Sequence, residues 1–226
     1  MFEEITSHRQ LRKLVAEQLR TAILEGRFKP GEWLRQEKLA QELNVSQMPV
    51  REALKELAAE GLIEHVPYRG VRVVEFSTDD ISDLYENRAF LEGRAAAFAA
   101  QYLTREEVNE LQAMAHQMAS LPPEQIGEYR KINRIFHETI FRASQHEYLI
   151  RTLSQLWETF PTMLIGNFAV TAQQPLPQRD EQDQQEHQAI IDALAAKHPE
   201  RARAAMQAHI LSAVNHLIES LKAKSS

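Results

Sequence analysis

The 226-residue chain contains no cysteine. A disulfide framework and a thiolate metal site are both excluded. No apolar run approaches the roughly 18 residues that a membrane span requires. The opening stretch, MFEEITSHRQ, lacks the basic and apolar regions of a secretory signal. The expectation is a cytoplasmic protein with no membrane partner. An excess of positive charge is missing too: Lys and Arg number 26 against 32 Asp and Glu, for a formal net charge of −6.

That deficit is unevenly spread. Residues 1–76 hold 12 basic and 12 acidic side chains, so the remainder carries 14 and 20. A neutral first segment binds a polyanion if its basic residues share a face, whereas the acidic remainder is repelled by DNA. The length and the 43% hydrophobic content suit two domains, each with its own core.

Along residues 1–76, Leu11, Leu14, Val15, Leu19 and Ile23 space as one helical face. The stretch breaks at Gly26, before a turn around Pro30 and Gly31. A short second helix spans about Gln36–Leu43 and ends near Asn44. Further on, IEHVPYRGVRVVEF places β-branched residues on either side of a Tyr-Arg-Gly turn and predicts a two-stranded hairpin. After Ser77 the pattern is helical almost throughout. STDD supplies an N-cap with early acids, and helices follow at about 104–119, 123–144, 147–169, 179–196 and 198–222. An all-α bundle over 77–226 is the economical arrangement.

Between these parts lies VSQMPVREALKELAAEGLI, residues 45–63, a strong helix with a proline near its start. Ser46 reads as the N-cap, with its hydroxyl accepting from the backbone of residue 48 or 49. Pro49 then stands in the first turn, where backbone N–H groups have no intrahelical partner and a fixed φ costs little. Val50, Ala53, Leu54 and Leu57 commit one face to a core, leaving Gln47, Met48 and Arg51 elsewhere near the helix N-terminus. A helix-turn-helix needs that geometry, because its second helix enters the major groove end-first. Arg51 suits the groove through a planar fork that fits guanine O6/N7 or a phosphate.

AILEGRFKPGEWL, LAQELNVSQMPVREALKELAAEGLI and YRGVRVV resemble, in order, the winged helix-turn-helix of GntR-type bacterial transcription regulators. The residues that follow resemble the helical FCD ligand-binding domain of the FadR branch. The fold class expected is therefore mainly α, with three helices and a β-hairpin wing in a DNA-binding domain at 1–76. An all-α effector, metal-binding and dimerisation domain follows at 77–226. The resemblance implies a homodimer on a palindromic double-stranded operator, with affinity set by a small organic effector. It places Arg35, Ser46, Gln47, Arg51, Arg69 and Gly70 at DNA-contacting positions. Gln47 stands where the family usually has arginine, trading a charge for an amide able to read adenine.

Nine histidines raise a second question. An inward histidine on one helix is usually a hydrogen-bonded core residue. Three sit at inward positions on three separate helices: His137 with Asn133 one turn away, His187 with Ile191 and Leu194, and His209 with Met206 and Ala213. The resemblance implies that they converge, because an FCD domain typically holds a divalent metal through an Asp-x-x-x-His pair and two later histidines. Here those positions are Asn133, His137, His187 and His209, with Zn or Ni suited to the imidazoles. Asn133 replaces the expected aspartate.

Arg88 falls on the apolar side of the first bundle helix with Glu92 one turn on. Its two readings are an internal ion pair and an anchor for an effector carboxylate. Tyr129, Arg134 and Trp157 are further effector-pocket candidates. The function expected is an effector-responsive DNA-binding regulator and not an enzyme. Its competitors are a dedicated metal sensor and a His-cluster metalloenzyme, the latter without an HExxH-type motif around the histidines.

Overall fold

The structure, a computed structural model, describes residues 2–24, 26–159 and 177–225. Contacts group the chain into two compact units, one containing residues 1–76 and the other containing residues 77–156 and the C-terminal helices.

In the first unit, α1 (Phe2–Leu24) buries Val15, Ala16, Leu19, Ala22 and Ile23. Leu14, expected on that face, is 56% exposed. The two alanines complete the buried stripe and turn it away from Leu14, a shift invisible when only large apolar residues are followed. The helix α2 (Gln36–Glu42) ends at Leu43, and Asn44 takes a left-handed φ of 52° that starts the turn. Ser46 is extended and opens α3 (Gln47–Ala59), whose Val50, Ala53, Leu54 and Leu57 are wholly buried against α1 and α2. At its far end α3 is tied to α1, because the Arg20 guanidinium grips Glu60 through two bonds of 2.8 and 2.6 Å.

The expected hairpin is present as β2 (Ile63–Val66) and β3 (Gly70–Val73), paired Ile63 to Val73 and Val66 to Gly70. The sheet also has a third strand. The two-residue β1 (Trp33–Leu34) pairs with β3 on its other side, giving the order β1-β3-β2. Two residues are too few to leave an alternating pattern in sequence. Gly70 has a φ of 118°, a conformation L side chains rarely adopt, with open space where a Cβ would stand.

The second unit begins with α4 (Thr78–Tyr102). Ser77 accepts from the Asp80 N–H while the Asp80 carboxylate accepts from the Ser77 N–H, a reciprocal cap. Thr104 and Glu107 repeat the device at α5 (Arg105–Ser120). After a short 3₁₀ turn at Pro123–Gln125 come α6 (Ile126–Ala143), α7 (Glu147–Thr159), α8 (Pro177–Ala195) and α9 (Pro199–Ser225). Residues 160–169 of the helix expected at 147–169 lie outside the described residues. The alanine-rich face of α4 lies along α9 in the most extensive helix contact. At Gly93 a Cβ would stand 2.6 Å from Gln207 Cγ and 3.2 Å from the Arg203 carbonyl, so the missing side chain permits that approach. Helices α6 and α8 pack on α4 as well. Among the described residues no helix is long and apolar enough to cross a membrane.

Candidate functional site

The start of α3 presents Ser46, Gln47, Met48 and Arg51 to solvent while Pro49 and Val50 are buried. Ser46 occupies the N-cap with φ −70° and ψ 162°, but its side chain makes no capping hydrogen bond, contrary to expectation. Pro49 fills the third helical position and has no N–H to donate, so the usual donor is absent. Arg51 is 55% exposed at its side chain, with its Nε 3.7 Å from Glu52 Oε1.

Arg35 is the N-cap residue of α2, and Arg69 lies in the tight turn closed by its N–H to the Val66 carbonyl at 3.1 Å. Arg35, Arg69, Gly70 and Trp33 border one open depression of about 640 Å³. Two aromatics on this unit escaped the sequence reading. Trp33 is 41% exposed, and Tyr68, with a left-handed φ of 63°, is fully exposed beside Arg69. The available signal was an aromatic residue directly preceding the Arg-Gly turn.

In the second unit α6, α8 and α9 bring His137, His187 and His209 together, all buried. One ring nitrogen from each lies within 4.8 Å of the others. Amphipathic spacing turns each histidine inward among core residues such as Phe136, Ile190 and Ile210, and the packing of the three helices brings the rings together. Asn133, one turn before His137, places Oδ1 3.0 Å from His187 Nε2. All four expected ligands thus meet in one place.

Each ring is held from behind at Nδ1. His137 Nδ1 is 2.6 Å from Glu92 Oε2, His209 Nδ1 is 3.0 Å from Glu186 Oε2, and His187 Nδ1 is 2.8 Å from the Asp183 carbonyl. Carboxylates and carbonyls accept, so each Nδ1 carries the proton and Nε2 is the nitrogen a metal would take. Three neutral imidazoles so oriented are a donor set suited to Zn or Ni, and the residues fit such an ion.

The electrostatics keep this arrangement. Burial opposes ionisation of Glu92, yet the Arg88 guanidinium and the His137 N–H outweigh it and hold the carboxyl down to about 2. Arg88 Nε and Nη2 each lie 3.0 Å from Glu92 Oε1. Burial lowers the His137 pKa against the pull of Glu92, a balance that favours the neutral ring. Glu186 is also held below the ordinary range: burial raises it, but bonds from His209, Ser212 and Gln182 prevail. The i, i+4 spacing in sequence pairs Glu92 with Arg88 alone. The grip of Glu92 on His137, 45 residues away, had no local signal.

The effector candidates fall in different settings. Arg88 is buried and engaged with Glu92, and its guanidinium carbon lies 5.0 Å from the Tyr85 ring centre. Tyr129 donates its hydroxyl to Asp183 Oδ2 at 2.9 Å, one turn from His187 on α8. Arg134 is half-buried on α6 beside Asn133. Trp157 is buried on α7 but falls outside the compact unit that contains the histidines. Arg130, not singled out in sequence, is a half-buried cation on α6 whose pKa burial lowers, with Tyr85 opposing.

Two family models match the chain. "Bacterial regulatory proteins, gntR family" covers residues 11–73 and the FCD domain covers residues 83–212. A protein of Paenarthrobacter nicotinovorans named "Probable D-xylose utilization operon transcriptional repressor" is 32% identical over 213 residues, spanning 92% of this chain and 90% of the relative. The HTH-type transcriptional regulator LutR of Bacillus subtilis is 30% identical, over 83% of this chain and 92% of its own. Among solved structures, E. coli McbR/YncC has a TM-score of 0.69 at 25% identity, covering 93% of this chain and 98% of that one.

Proposed function

Because the chain belongs to the gntR family of bacterial transcription regulators and carries an FCD domain, we propose that it acts as a homodimer on a palindromic operator. In this reading a small organic acid, bound in the second unit beside a divalent metal such as Zn or Ni, sets its DNA affinity. The family and the relatives are regulators, not enzymes. The observation that carries the sensory part is the set of three histidines on three helices, each anchored at Nδ1.

On the DNA side, Arg51 and Gln47 read base edges from the exposed front of α3, while Ser46 takes a backbone phosphate. Arg35 and Arg69 flank the depression beside Gly70 and hold the duplex backbone. On the sensory side, Asn133, His137, His187 and His209 hold the ion. A divalent ion there supplies a Lewis-acidic anchor for a carboxylate. Arg88 and Glu92 fix the His137 tautomer, and Arg130, Arg134 and Tyr129 orient the acid. An acid that binds one arrangement of the dimer better than another shifts the spacing of the two recognition helices.

The test uses an operator selected by the parent protein from a random duplex library. Arg51→Ala lies off the buried face, so it should keep the fold and lose about 1–3 kcal/mol of operator binding at constant salt. Equal affinity for parent and variant would remove Arg51 from the interface.

A further inference from the structure

We infer that this centre is built to hold its ion tightly only together with an anionic co-ligand, and that Asn133 makes it so. The inference rests on the metal reading above and adds a property to it. The inner donors are three imidazoles and an amide, all neutral. Of the nearby carboxylates, those of Glu92 and Glu186 are turned to the far side of the rings. Glu92 stands behind His137 at Nδ1 and grips Arg88, Glu186 stands behind His209 at Nδ1, and the Asp183 carboxylate accepts from Tyr129. The two nitrogens of an imidazole point to opposite sides of its ring. A carboxylate bonded to Nδ1 therefore cannot ligate an ion held at Nε2. A dication at the centre keeps its full charge among buried groups, a costly state until an anion joins it.

The amide adds a second effect of the same sign. With its Nδ1–H given to the Asp183 carbonyl, a neutral His187 has a lone pair at Nε2, and Asn133 Oδ1 faces that lone pair at 3.0 Å. Two acceptors face each other there. An ion ligated by both atoms reconciles them. Without an ion, a half-turn of the amide presents Nδ2–H to the same nitrogen and closes a hydrogen bond. A carboxylate has no such donor. Asn133 therefore stabilises the ion-free pocket as well as withholding charge from the ion-bound one.

An organic acid at the open coordination position supplies the missing charge. By linkage, acid and ion raise each other's affinity by the same factor, so the second unit responds to the two together.

The experiment titrates zinc into chelator-stripped full-length protein by competition with a chromophoric chelator, alone and with acetate, glycolate or succinate in excess. The parent should bind one ion per chain weakly, and at least one acid should tighten that binding by about tenfold or more, the scale on which coordination partners act. Asn133→Asp should bind zinc tightly alone and gain little from the same acid. Parent and Asn133→Asp binding equally tightly without acid would overturn the inference and leave the metal centre standing. The same holds if Asp183→Asn loosens zinc in the acid-free parent, because a carboxylate of the chain would then be the anion. If neither protein binds one ion per chain with or without acid, or if His137→Ala binds as the parent does, the metal centre itself fails and the inference with it.

Discussion

Replacing Glu92 with glutamine removes one charge from the most enclosed ion pair described in the second unit. Glu92 is 1% exposed and Arg88 5%. The carboxyl falls from an ordinary 4.5 to about 2 on folding, a difference worth about 3 kcal/mol at about 1.4 kcal/mol per unit. Breaking a buried pair by removing one partner costs about 3–5 kcal/mol. The two routes agree near 3, and the Tyr85 face beside the guanidinium favours the lower end.

The sign follows from the direction of the shift. A depressed carboxylate stabilises the fold fully above pH 4.5 and loses that contribution as pH falls toward 2. In urea unfolding with a chelator present, parent and Glu92→Gln should differ by about 3 kcal/mol at pH 7 and by less than about half of that at pH 3. A gap below about 1 kcal/mol at pH 7, or one that persists undiminished on acidification, would refute the reasoning. The substitution has a second readout. If the new amide turns its oxygen to Arg88, its NH₂ faces His137 Nδ1, which must then accept. The ring proton moves to Nε2, and zinc affinity should drop by about 10- to 100-fold.

Two further outcomes follow from packing and capping. Leu54 is wholly buried in the core of the first unit, so Leu54→Ala should cost about 2–5 kcal/mol and abolish DNA binding at elevated temperature. Retained binding across the parent's melting range counts against that core. Ser77→Ala removes the acceptor at the head of α4 and should lower stability by about 1 kcal/mol, read as a fall in Tm with zinc binding unchanged.

Much of the molecule was legible in the sequence because its signals are local. The buried face of α3 repeats every three to four residues, and the caps at Ser77 and Thr104 lie within three residues of their partners. Leu14 misled because the alanines beside it carry little hydrophobic signal yet take the buried positions. The strand at Trp33–Leu34 is defined only by its pairing with β3. At the candidate site, periodicity turned each histidine inward, but their meeting depends on the packing of three helices. Family resemblance supplied that step. The anchoring by Glu92 and Glu186 emerged only with the fold, because both are long-range contacts between helices.

The proline at the head of α3 has a consequence for how the protein searches. With Pro49 in the first turn, Ser46, Gln47 and Met48 carry the backbone donors that the helix leaves unused, and the Ser46 hydroxyl is not spent on closing the helix internally. In the proposed complex a backbone phosphate closes it instead, so the duplex itself would complete the helix. Phosphates are alike at every step of the double helix, and this closure is available at any register. Such a contact would favour lingering on arbitrary DNA, weaken with added salt, and leave discrimination among sequences to the proposed base readers, Gln47 and Arg51.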